Sequence, residues 1–191
     1  MSLYAVLLVL AMILVAAYGV MLYNGLVTVK HNVAQAWSNI EVLLKQRHDE
    51  LPKLVEVCRQ YRQFEQETLQ RVIEARSRVF AAQQSHSPDA LGPAESALRV
   101  SLGQLFAVAE AYPELRTNEQ FMNLQARITS LENAISDRRE FYNASVNINN
   151  VRIEQFPDLL VARMFDFPRR AHLRFSEQEK AGVNVRELFA A

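Results

Sequence analysis

Histidine, cysteine, serine and the carboxylates are the side chains that could hold a metal or attack a substrate, so their spacing comes first. A metal pair inside a helical bundle takes Glu or Asp three residues before a His, which puts both ligands on one helical face. His31 follows Thr28 at that distance, His48 follows Lys45, His86 follows Gln83 and His172 follows Arg169. The chain also has no paired-histidine zinc motif, so no metal site is expected. Ser77 and Ser96 have no histidine set near them as a base. Cys58 is the single cysteine and cannot close an internal disulfide; within a helical pattern it fits a small buried side chain. With 5 glycines in all, there is no glycine-rich phosphate loop. The expectation is a non-enzyme, with no catalytic residue and no cofactor.

Lys+Arg and Asp+Glu both total 21, which removes the basic field that phosphate backbones attract. No nucleic-acid partner is expected; the partners would be membrane lipid and protein of unknown identity, with self-association as a further candidate. Arg138 and Arg139 beside Glu140 read as a solvated, ion-paired helix surface. Asn143, Asn147, Asn149 and Asn150 are weak helix formers inside a helical pattern. Asn143, Asn147 and Asn150 are therefore candidates for a partner face or for a ladder that fixes helix register, and precedent favours the ladder. Trp37 reads as core. After Pro157, Leu159, Leu160, Val161 and Met164 are mixed with aromatics and arginines. Arg163, Phe165, Phe167, Arg169, Arg170 and Arg174 are candidate lipid-surface contacts, while a cap over the end of a bundle would use the same apolar residues.

The elements that would position these residues are helices. Leu3 to Tyr23 carries no charge and has about the 20 apolar residues that cross a bilayer, so residues 1–23 read as a transmembrane anchor. Leu3, Leu7, Leu10, Ile13 and Val20 would face the acyl chains, with Tyr23 at the interface. No basic residue precedes the run, as a cleavable signal would require. Beyond it, steps of three and four recur at Leu26, Val29, Val33, Trp37, Ile40 and Leu44. They recur again from Leu54 to Val79, from Leu98 to Tyr112, and from Phe121 to Ile153. Helices are expected at about 24–50, 53–83, 94–112 and 118–156, with a break near Asp49-Pro52, a loop over Gln83 to Pro93, and Asn118 as a cap. The fold class is all-α: the anchor, an up-and-down four-helix bundle over 24–156, and a C-terminal amphipathic segment and tail over 157–191. A long two-stranded coiled-coil hairpin is the rival if Pro52 and Pro113 only kink their helices.

Several blocks carry a family resemblance. They are Tyr23-Asn24-Gly25-Leu26-Val27 with Ala36-Trp37-Ser38-Asn39-Ile40-Glu41, then Leu51-Pro52-Lys53-Leu54-Val55-Glu56, then Tyr112-Pro113-Glu114-Leu115, and Arg138-Arg139-Glu140-Phe141-Tyr142-Asn143 with Phe156-Pro157. In this order the chain resembles the LemA family of bacterial membrane proteins from the anchor to Pro168. The resemblance implies one N-terminal span, a four-helix bundle and no settled biochemical activity. Asn149-Asn150 stands where members repeat a Tyr-Asn pair, and the tail from Phe175 has no counterpart.

The functional expectation is a single-pass scaffold or adaptor at the bacterial inner (cytoplasmic) membrane. It would act by protein-protein interaction, and the Lys and Arg count puts the bundle on the cytoplasmic side. The alternatives are an accessory of an envelope-stress or membrane-protease system and a self-assembling component that organises membranes or organelles.

Overall fold

The charge-free start and the unbroken spacing after it make one helix, and the stripes that follow make the rest. The computed structural model describes residues 3–61, 64–85 and 87–174. Among them there are six helices and no strand: α1 (Leu3–Arg59), α2 (Gln66–Gln84), α3 (Pro88–Ala109), α4 (Pro113–Arg116), α5 (Glu119–Glu154) and α6 (Asp158–Met164). The described residues fall into two units, the first from 3–38 and 140–171, the second from 39–61, 64–85, 87–139 and 172–174.

In the second unit the buried stripes are Ile40, Leu44, Leu51, Leu54 and Cys58 on α1, Leu69 and Val72 on α2, Leu91, Leu98, Leu102 and Leu105 on α3, and Phe121, Ile128 and Ile135 on α5. One expected break is absent and one expected loop is shorter. Pro52 lies inside α1, which runs to Arg59. A proline there leaves the carbonyl four residues earlier without its helical donor, and that carbonyl, on His48, accepts from Arg76 Nε of α2 at 3.1 Å. The helix therefore passes through. The loop expected from Gln83 to Pro93 shrinks to the residues between α2 and α3. Ser87 caps α3 by accepting from the Ala90 N–H, and Pro88 takes the first turn, where its missing N–H does no harm. Gly92 sits inside α3 because a Cβ there would meet the Arg174 carbonyl oxygen at 2.4 Å. Asn118 caps α5, accepting from the Phe121 N–H at 3.0 Å.

In the first unit the tail of α5 and α6 pack on the part of α1 just after its apolar start. Leu26, Ile153 and Ala162 form the core, with Val161 and Phe167 against it. Trp37 lies on Tyr142, ring centroids 5.3 Å apart. α6 ends in a left-handed residue, Asp166 at φ 57°, and the Phe167 N–H donates to the Ala162 carbonyl at 3.0 Å. This is a Schellman ending with Asp where Gly is commoner, and it turns Phe167 back onto Ala162.

Candidate functional site

The candidate site of the first unit is the segment from Asp158 to Ala171, which holds most of the residues expected at a lipid surface. Its geometry is fixed from both ends. Arg152 of α5 donates from Nε and Nη2 to the Asp158 carboxylate at 3.0 and 2.9 Å. That guanidinium lies over Gly25 of α1, where a Cβ would sit 3.0 Å from it. The ion pair raises the Arg152 pKa, chiefly through the hydrogen bond to Asp158. At the far end Asn150 both donates to the Arg170 carbonyl and accepts from the Arg170 N–H, each at 2.9 Å. Asn149 donates to Asn150 and to the Pro168 carbonyl, and the Tyr142 hydroxyl donates to the Ala171 carbonyl at 3.0 Å. Burial pushes the Tyr142 pKa up, against the opposing pull of Arg170.

The six lipid-contact candidates are not all brought together. Phe165 and Phe167 both meet Tyr23, at centroid distances of 4.8 and 5.9 Å. Lys30 Nζ stands 6.0 Å from the Phe167 ring. Arg163, Arg169 and Arg170 are exposed, with Arg169 paired to Glu154 at 3.1 Å. Arg174 belongs to the second unit and faces Asp89 at 3.8 Å. The amide candidates also separate: Asn150 is buried in the clamp, Asn143 is half-buried and Asn147 is exposed. Residues 175–191 of the expected tail lie outside the described residues. Of the anchor positions, Leu3, Leu7, Leu10, Ile13 and Val20 are exposed over half or more of their surface, and Tyr23 packs on the two phenylalanines.

The polar residues of the second unit were not found by sequence reasoning. Arg47, 1% exposed, donates to Glu95 of α3 and Glu132 of α5, and Arg99 shares Glu132 at 3.2 Å. Burial pulls the Arg47 pKa down, but attraction to Glu95 and Glu132 more than reverses it. Arg139, read as surface, is 2% exposed. The signal was present: Arg47 stands three after Leu44 and four before Leu51, and Arg139 four after Ile135 and three before Tyr142. Both are on the buried stripes, because a charge with a partner can occupy a core position. His48 stacks on Phe80 and its Nε2 is 2.6 Å from Arg76 Nη2. Burial and then the Arg76 charge lower its pKa. Burial pushes the Cys58 thiol up to about 12, so it is not a ready nucleophile.

Fold and site together define an all-helical protein with one N-terminal helix long and apolar enough, by length and composition, to cross a membrane. Residues 36–186 match the model of the LemA family, and the chain belongs to that family, as its motifs implied. It is 23% identical over 204 residues to magnetosome protein MamQ 2 of Paramagnetospirillum magneticum, spanning 95% of this chain and 75% of that one. It is 27% identical over 166 residues to protein LemA of Metamycoplasma hominis, spanning 86% and 74%. Neither name denotes a reaction.

Proposed function

We propose that this chain is a single-pass scaffold or adaptor of the LemA type at the bacterial inner membrane, working by binding proteins rather than by turnover. The apolar start of α1 is its span, and the Lys and Arg bias beyond it puts the body on the cytoplasmic side. The body is an up-and-down four-helix bundle of α1, α2, α3 and α5. Arg47 bonded from α1 to α3 and α5, and Arg76 bonded from α2 to α1, support that arrangement.

One observation carries the binding role. On α5, Phe141, Ile148 and Val151 are 53%, 54% and 49% exposed, and exposed Ala144 lies between them. Steps of three, four and three are those of a coiled-coil seam. The seam borders a groove lined by Val29, Asn32 and Gln35 of α1, within the same unit. It has the spacing to receive an apolar helix from a partner protein. A photo-crosslinker placed at Phe141 or Ile148 in native membranes tests this. Several protein adducts fit a scaffold, and one stoichiometric adduct fits the accessory of a stress or protease system. Self-adducts alone would replace the reading by self-assembly, and no protein adduct would end it.

A further inference from the structure

The first unit carries a short apolar surface next to the place where the span ends. On α6, Asp158 and Ala162 are buried against the unit, whereas Leu160 and Met164, one turn apart, are 59% and 77% exposed. Phe156 just before the helix is 77% exposed, and Phe165 just after it 55%. Four large exposed apolar side chains within one short stretch of sequence are more than the scattered exposure expected of a surface facing water. Their depth is set by Tyr23, the aromatic residue at the end of the charge-free run, because Phe165 is in ring contact with it.

We propose that Phe156, Leu160, Met164 and Phe165 form a foot that sits in the interfacial layer of the lipid bilayer beside the span. The occupant is lipid because this surface is continuous with the anchor through Tyr23. Arg163 lies on the same helical face, three after Leu160, and its long stem lets the guanidinium reach headgroup phosphates while the apolar residues go deeper. The foot is held rigidly: the Arg152–Asp158 pair pins the start of α6 over Gly25, and the left-handed Asp166 closes its end. Its membership differs from the grouping that composition suggests. Phe167 is spent on the core and on Lys30, Arg174 lies in the other unit, and Phe156 joins Leu160, Met164 and Phe165.

The inference rests on the proposed insertion of the span, and one experiment separates the two. Nitroxide labels are placed on single cysteines at Phe156, Leu160 and Met164 in the full chain, with Leu10→Cys and Met122→Cys as references, in nanodiscs of mixed zwitterionic and anionic lipid. Cys58, buried, stays unlabelled. All these positions are exposed, so the substitutions leave the helical circular dichroism unchanged. Collision with oxygen should exceed collision with a polar nickel chelate at Leu160 and Met164, as at Leu10, and the order should reverse at Met122. A foot that behaves like Met122 while Leu10 reads as lipid overturns the foot and spares the tether. A water-like Leu10 overturns both. Dipolar broadening that unlabelled chain dilutes away, or shielding from both reagents, would show a protein covering the surface and also overturn the foot.

Discussion

Arg47 shows what a single buried charge does here. Its guanidinium joins α1 to the carboxylates of both α3 and α5 within the second unit, so its removal takes away the cation that Glu95 and Glu132 share and leaves Arg99 on Glu132. Breaking a buried pair by deleting one partner costs about 3–5 kcal/mol, since the stranded charge keeps its desolvation penalty. Arg47→Met should therefore lower the unfolding free energy of the detergent-solubilised chain by about that much, read by denaturant titration followed by circular dichroism. Arg47→Lys should restore only part, because an ammonium cannot bridge two carboxylates as a planar fork does. A Met variant as stable as the parent would mean that the network adds nothing. Periodicity made the stripe around Arg47 legible but passed over its charged members. A charge reads as surface until the partner on another helix is known, and Glu95 and Glu132 are far away in sequence.

At the scale of the element, α1 explains why the break expected at Pro52 is absent. Pro52 does remove a backbone bond, as expected from its type. The structure repairs the loss from outside the helix, with Arg76 donating to the freed His48 carbonyl. No local rule could show that, because the repairing residue belongs to α2. The stripes themselves, which depend only on spacing within one helix, were legible almost throughout, as was the cap at Asn118; Trp37, read as core, is only half-buried, and its neighbour Ala36 takes the buried place on the stripe. The repair has a measurable signature. Pro52→Ala returns an N–H to the His48 carbonyl, so Arg76→Met should be less destabilising in the alanine background than in the parent. A double-mutant cycle should give a coupling of about 0.5 kcal/mol or more. Strict additivity would assign the Arg76 contact no part in carrying α1 past the proline.

For the whole molecule, the apolar run from Leu3 to Tyr23 is the part that no described residue covers apart from its last turn, and among the described residues it alone has the length to span a bilayer. A chain beginning at Asn24 should leave the membrane fraction under carbonate and high salt and stay helical. The foot by itself, one short face, should hold no better than a single acyl chain does, weakly and reversibly. Retention of the shortened chain after both washes would contradict the single tether. The lipid-contact site was legible as a composition, yet its membership was not, because which arginine or phenylalanine turns inward depends on the clamp at Asn150. That clamp grips Arg170 only by its backbone N–H and carbonyl. Those two bonds make no demand on the side chain at 170, so they can form with almost any residue there except proline, which has no N–H to offer. A segment held in this way can drift in sequence, and retune its charge, while its path over the protein stays where it is.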